Sequence, residues 1–446
     1  MVAFKRLVWL AVAFASSVYA KSSTGDSVLV IVEPKKQDNY NIFFDGLRER
    51  GYELTFRDPR VESPVLIQDD VPNFSHVILF ASETKSFAKD ITPQSLISLL
   101  NQNTNLLIAL STKQTSLTSL AAEFSLTPAP PGTPLISYFP ERSDPPNVIP
   151  ISPSETPNLI SLTSSNIAPV WYSGTSFVLS NNPLIVPILN APPYAFASEV
   201  DGGTADSLVD ATEKRGEGLW AGSQLGLVTG FQAKNGARVV WTGGVELFSD
   251  EFAQKEVASG KPSGNKQFVQ DVAAWSFQES NVVRIDGIDH HKVNEIQPGE
   301  HYTTKDQLVY TAHISKYNPQ TGKWKPYSDI TDLQVSFTML DPHIRTLLPP
   351  IGSSSPGDYS VQFRAPDRHG VFKFVVDWKR KGWTYLFSST TVPVVPPRHD
   401  GYPRFLSAAW PYYLGAISTS VAFFLFSTVW LAGEIKERKK GKGKTE

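Results

Sequence analysis

The chain has 446 residues and no cysteine, so disulfides, thiolate nucleophiles and Cys-ligated zinc are all excluded. Any part that enters an oxidising compartment must then rely on apolar cores, which domains above ~100 residues can supply. Glycine-rich phosphate loops and Walker patterns are absent, which removes the usual cradle for a nucleotide. No Gly-x-Ser-x-Gly elbow marks a hydrolase nucleophile, and no Asp-x-Asp offers a divalent metal to a sugar nucleotide. Net charge is only −2, so nothing electrostatic points to nucleic acid. No repeat of fixed period occurs.

The two ends carry targeting chemistry. Lys5 and Arg6 precede the apolar run Leu7 to Ala15, and Val18-Tyr19-Ala20 offers small residues for a signal peptidase. Residues 1–20 therefore read as a signal peptide, cut between Ala20 and Lys21. From Phe405 to Gly433 there is no Asp, Glu, Lys or Arg, and a bilayer core needs roughly 20 such residues as a helix. The span is placed at 409–433, with Trp410, Tyr412, Tyr413 and Trp430 at its interfaces. Residues 434–446 form a basic tail that stays cytosolic, and its Lys442 and Lys444 have dilysine retrieval spacing. Together these features predict a single-pass type I protein of the endoplasmic reticulum membrane, its bulk in the lumen. Along the span Gly415 and Thr419 lie four apart, as do Ser418 and Ala422, a small-residue stripe on which another helix can pack.

Between the ends, 41% hydrophobic and 19% charged residues fit folded domains. Residues 21–278 alternate strands and helices: apolar 27–32, then a helix capped by Asp38 or Asn39 with Tyr40, Phe43, Phe44 and Leu47 on one face. Strands 52–57, 76–81 and 105–110 follow, with helices opened by Thr92-Pro93 and over 115–124 and 264–278. The pattern predicts a parallel, doubly wound α/β sheet, and this alternation resembles the class I amidotransferase-like fold. A proline-rich stretch, about 128–210, reads as an insertion of ordered loops, because 15 of the 34 prolines lie between Pro128 and Pro193 among aliphatics. Over 280–396 apolar residues recur at every second position between turn signals, predicting an antiparallel β-sandwich, with 397–408 as a pre-membrane linker.

Candidate chemistry is sparse. Asp289-His290-His291 could suggest a metal, but neighbours on a strand face opposite sides. Asp341 and Arg345 can pair across a turn, and Trp378, Trp383 and Tyr385 could stack on sugars or fill a core. The carboxylates Asp69-Asp70, Glu199, Asp201 and Asp250-Glu251 lack metal-cage spacing. No catalytic, cofactor-binding or metal residue is assigned. Asn73-Phe74-Ser75 is a glycosylation sequon, with Asn73 as acceptor.

Four stretches in order (QAKNGARVVWTGGVELFSDEF, 232–252; TDLQVSFTMLDPHIRTLL, 331–348; FRAPDRHGVFKFVVDW, 363–378; HDGYPRFLSAAWPYY, 399–413) resemble the family of 48-kDa subunits of the eukaryotic oligosaccharyltransferase. The resemblance implies a non-catalytic accessory subunit of the complex that moves an oligosaccharide from dolichyl diphosphate to Asn in Asn-x-Ser/Thr. It implies as partners a ribophorin II-like subunit, the small defender-against-death subunit and a catalytic multispanning subunit that holds the metal, with glycan or nascent chain as further contacts. A lectin-like cargo receptor with a cytosolic sorting tail is the alternative reading.

Overall fold

A computed structural model describes residues 21–440, apart from 154–161, 165, 199–219, 258–259, 353–354 and 403–405. The first unit is built on a nine-stranded sheet. Its chain order begins β1 (Ser27–Ile31), α1 (Asn41–Glu49), β2 (Glu53–Arg57), β3 (His76–Leu79), α2 (Pro93–Asn101), β4 (Asn105–Ala109) and α3 (Ser116–Glu123). It continues with β5 (Leu126–Pro128), β6 (Phe177–Leu179), β7 (Ile185–Asn190), β8 (Leu225–Gln232), β9 (Arg238–Thr242), a short α4 (Asp250–Gln254) and α5 (Asn265–Ser276). The spatial order is β2-β1-β3-β4-β9-β8-β6-β5, with β7 also on β8.

The β2 to β9 portion is parallel, and side-chain alternation feeds both faces. Val28 and Val30 of β1 join the core with Phe43, Phe44 and Leu47 of α1 and Phe268, Val272 and Trp275 of α5. Leu29 and Ile31 point the other way, into a core with Leu96 and Leu99 of α2 and Leu117 and Leu120 of α3. Thr92 caps α2 as its sequence predicts, its Oγ1 accepting from the Ser95 amide at 3.1 Å, with Pro93 in the first turn.

Three expectations need correction. The sheet is mixed, because β8 returns into β9 through a tight Gln232-to-Arg238 turn, and a hairpin forces antiparallel pairing. The proline-rich stretch is more than an insertion, since its Phe177–Leu179 and Ile185–Asn190 pair antiparallel with β8 in the main sheet. The cap of α1 also differs. Its amides of Asn41 and Ile42 donate to the Asp250 carboxylate at 3.1 and 2.9 Å, so the capping residue comes from far along the chain and not from Asp38 or Asn39.

The second unit has two sheets. One joins β10 (Val283–Lys292), β12 (Gln307–Asn318), β13 (Lys323–Pro326) and β16 (Asp358–Arg364). The other has the order β11 (Tyr302–Thr303), β18 (Leu386–Val395), β17 (Gly370–Trp378), β14 (Gln334–Thr338), β15 (Pro342–Leu347). Alternate residues of both, Leu308, Tyr310 and Ala312 on β12 and Phe372, Phe374 and Val376 on β17, share one core. Burial of each Leu, Phe or Val side chain in this set is worth about 1.5–3 kcal/mol, enough to fix strand register.

The two units are fastened together by polar contacts. The Trp275 indole donates to the Gly382 carbonyl at 2.9 Å, and Gln232 Nε2 donates to the Trp383 carbonyl at 2.7 Å. Arg238 is fully buried, donating to the carbonyls of Trp275, Ser280 and Asn281 and to Thr384 Oγ1. Burial pulls its pKa down to about 9.

The chain then enters α6 (Trp410–Lys440), and Ser407–Gly433 is a stretch of 27 residues long and apolar enough to cross a membrane. It is the only such helix among the described residues.

Candidate functional site at the carboxyl edge of the sheet

β1 is followed in sequence by β2 on one side and β3 on the other, so the connections leave in opposite directions at β1 and β3. Such a switch point opens a crevice at the carboxyl ends of the strands. The loops after β1, β3, β4 and β9 meet there. They enclose a cavity of about 390 Å³ whose lining includes Lys36, Ser82, Ser111, Glu246 and Asp250. A second cavity of about 450 Å³, with Thr112, Asn147 and Ser173, shares Glu83, Ser111 and Glu246 with the first.

Glu83 organises the crevice. Lys113 and Lys36 each donate to its carboxylate at 2.8 Å, from the loops after β4 and β1. These contacts hold its carboxyl down to about 2 and raise Lys36 in turn. Because these side chains are about two-fifths exposed or more, solvent screens the pairs and their contribution to stability is small. Their effect is positional, since one carboxylate ties three loops. Glu246 behaves oppositely. Solvent reaches it through the crevice, yet the surrounding walls desolvate it and raise its pKa, and nearby Glu83 adds to the effect.

The floor requires glycine. Thr242-Gly243-Gly244 leaves β9 and crosses the Ser173-Gly174-Thr175 backbone, with the Thr175 amide donating to the Gly243 carbonyl at 2.8 Å. A Cβ on Gly243 would lie 1.9 Å from the Thr175 carbonyl oxygen, and one on Gly244 1.9 Å from that of Ser173. Gly174 itself has φ of 153°. These residues escaped the sequence reading as site elements, though a Thr-Gly-Gly run directly after an apolar strand was the available signal.

The predicted site residues fall elsewhere. Asn73 is exposed just before β3, at the opposite edge of the sheet from the crevice. Gly415, Ser418, Thr419 and Ala422 all lie on α6, where the Ser418 and Thr419 hydroxyls donate to the Gly415 carbonyl at 2.9 and 3.0 Å. Lys21 is half-buried, while Ala20, Lys442, Lys444, Glu199 and Asp201 lie outside the described residues.

His290 and His291 separate as strand neighbours should. His290 meets the Tyr302 hydroxyl at 2.6 Å and stacks on Phe374, whereas His291 Nδ1 meets the Lys292 carbonyl. Missed in the sequence was His313, whose two ring nitrogens lie 2.9 Å from Asp289 and 2.6 Å from Asp358. Those carboxylates, Asp289 first, raise its pKa. The Asp341–Arg345 ion pair does not form, and Arg345 donates to the Ser336 hydroxyl at 3.1 Å, its cross-strand neighbour on β14. Trp378 is buried with its indole donating to Asp332, and Trp383 stacks on Tyr327, so both fill structure. Among the described residues no group of three or more His, Asp or Glu could hold a metal ion.

Comparison with known proteins matches nearly the whole length of the chain. The profile described as the OST48 N-terminal domain covers residues 19–279, and that of the OST48 middle domain covers 290–434. The 48 kDa subunit of dolichyl-diphosphooligosaccharide–protein glycosyltransferase from Danio rerio is 31% identical over 427 residues, 93% of each chain. The subunit of that name from Caenorhabditis elegans is 31% identical over 432 residues, again 93% of each. That from Drosophila melanogaster is 29% identical over 447 residues, 96% of each. Among solved structures, a ThuA-like protein from Parabacteroides merdae gives a TM-score of 0.29 at 11% identity, over 56% of this chain and 89% of that one, too low to carry an argument. Two successive family domains and relatives aligned almost end to end place the chain in the OST48 family.

Proposed function

We propose that the chain is a non-catalytic accessory subunit of the oligosaccharyltransferase, supporting transfer of a preassembled oligosaccharide from dolichyl diphosphate to Asn in Asn-x-Ser/Thr. The observation that carries this reading is the end-to-end likeness to proteins named as the 48 kDa subunit of that enzyme. Of the three crevice carboxylates described above, two are already engaged in a way that supports an accessory role, and the third, Glu246, has a raised pKa. Glu83 is committed to two lysines, and Asp250 to the α1 amides, so neither is poised as a general base.

What the crevice offers is hydrogen bonding. Carboxylates, the Ser82 and Ser111 hydroxyls and the Asn147 amide suit a neutral, hydroxyl-rich ligand such as part of a glycan, and the acidic balance disfavours a diphosphate. In this reading the facing sheets of the second unit form the lumenal sandwich, and the first unit is the amidotransferase-like domain. α6 spans the endoplasmic reticulum membrane with the basic tail, including Lys442 and Lys444, in the cytosol as a retrieval signal. The stripe Gly415, Ser418, Thr419 and Ala422 is its packing face toward the ribophorin II-like and defender-against-death subunits. Catalysis belongs to the multispanning subunit.

Recovery of the full chain in mild detergent tests membership. Stoichiometric co-purification of the multispanning subunit and the two smaller partners is expected. Recovery of the chain alone, with retained glycan binding, would favour a lectin-like receptor.

A further inference from the structure

We propose that Asn73 carries an N-linked oligosaccharide and that it is added before β3 docks onto β1. The acceptor is suitably placed. Asn73 is exposed, and its Nδ2 donates to the Val65 carbonyl at 3.0 Å. Glycosylation leaves one hydrogen on Nδ2, so the modified amide keeps a donor for a bond of this kind. Asn73 precedes β3 while Ser82 and Glu83 follow it, and a four-residue strand separates its ends by roughly 13 Å. The glycan therefore sits at the amino edge of the sheet and leaves the crevice open.

The timing follows from how the sequon is held once folded. The Asn73 amide donates to the Leu66 carbonyl at 3.1 Å. Thr104 Oγ1 donates to the Phe74 carbonyl at 3.2 Å, and the Phe74 ring packs on the core. The Ser75 amide donates to the Ser27 carbonyl at 3.1 Å, and the Ser75 hydroxyl accepts from Ser27 Oγ at 3.3 Å. All three residues of the acceptor motif are thus fastened, including the hydroxyl that a transferase must read. Only a chain in which β3 is still free can offer Asn73 and Ser75 together to an active site.

In the transfer, Nδ2 attacks C1 of the first sugar of a polyprenyl-diphosphate oligosaccharide. The C1–O bond to phosphate breaks, the C1–Nδ2 bond forms, one amide proton passes to a base of the transferase, and the lipid diphosphate leaves with the bonding pair. The proposal rests on the lumenal placement above, and the same experiment separates the two.

The full chain is expressed in cells with active N-glycosylation and read by mass spectrometry. Cleavage after Ala20 reports entry into the lumen, and a glycan on the Asn73 peptide is expected. It should vanish in Asn73→Gln and Ser75→Ala and persist in Ser75→Thr. A cleaved signal with bare Asn73 overturns the site but not the lumenal placement, and an uncleaved signal together with bare Asn73 overturns both. For the timing, chain made while donor synthesis is blocked is folded and offered to detergent-solubilised oligosaccharyltransferase with lipid-linked donor, beside a synthetic peptide of residues 68–80. The folded chain should react at least about tenfold more slowly than the peptide, because β3 must first open locally. Equal rates overturn the order of events.

Discussion

His76 gives the first unit a pH dependence that can be worked out in sign and size. It opens β3 fully buried, between the rings of Tyr52 and Phe277. Its Nε2 lies 3.0 Å from the Gly25 carbonyl and its Nδ1 3.2 Å from Asn105 Nδ2. A carbonyl can only accept and an amide NH₂ only donate, so these partners specify the neutral Nε2–H tautomer. Protonating Nδ1 would aim two donors at each other in a dry site, and desolvation lowers the folded-state pKa to about 3. The folded value is depressed below the unfolded value of about 6.5, so the unfolded chain binds the proton first as pH falls. Stability from neutral His76 is present above about 6.5 and is lost progressively toward the folded value. Between pH 7 and pH 5 the loss is about 2 kcal/mol.

Chemical denaturation of the full chain in detergent at the two pH values measures this, with His76→Gln as the non-titrating reference. The variant is less stable at pH 7, but its profile should be flatter by about 2 kcal/mol over the window. His313 acts in the opposite sense. Its pKa is raised, so its contribution is present at low pH and lost as pH rises through the folded value. The difference between wild type and variant cancels that term. Parallel profiles would show that His76 is solvated or already charged, and the reasoning would fail.

Other substitutions report on other links. Asp90→Ala removes the bidentate partner of the fully buried Arg57 guanidinium and should cost about 3–5 kcal/mol, with earlier proteolysis of the 58–66 loop, whose Val61 and Pro64 carbonyls also accept from Arg57, as a second readout. Gly243→Ala puts a Cβ 1.9 Å from the Thr175 carbonyl oxygen. It should cost about 1–3 kcal/mol or more in a denaturant melt, and an unchanged midpoint would contradict the crossing described for the crevice floor. Replacing Gly415 and Ser418 together with Leu should leave α6 membrane-inserted but reduce recovery of the proposed membrane partners, and unchanged recovery would move the association to the two units that precede the helix.

How much was legible in the sequence depended on the range of the forces involved. Helix α2 announces itself through Thr92, Pro93 and the Leu96-Leu99-Leu100 face, and β12 through its alternation, because caps and periodicity act within a few residues. The α1 cap was misread because Asp250 reaches it from 208 residues away, and no local propensity encodes that. The antiparallel half of the sheet was hidden for a related reason. Proline-interrupted segments such as Ile185-Val186-Pro187 look like loops, and only pairing with β8 makes them strands. At the crevice, Glu83 and Glu246 are 163 positions apart, so their opposite pKa shifts exist only once the sheet brings its loops together. The sequon at Asn73 and the four-residue spacing of the small-residue stripe are local patterns, visible in the sequence whatever their role.

The central claim is that this subunit supports the transferase without performing its chemistry. Its most direct test is the turnover of the intact complex carrying Glu83→Gln and Glu246→Gln in this chain, normalised to the catalytic subunit recovered. Turnover within about tenfold of wild type is expected, with any loss expressed in KM for the oligosaccharide donor. A fall of roughly 100-fold or more in kcat, the size that follows loss of a general acid or base, would place catalytic chemistry in this crevice and contradict the account.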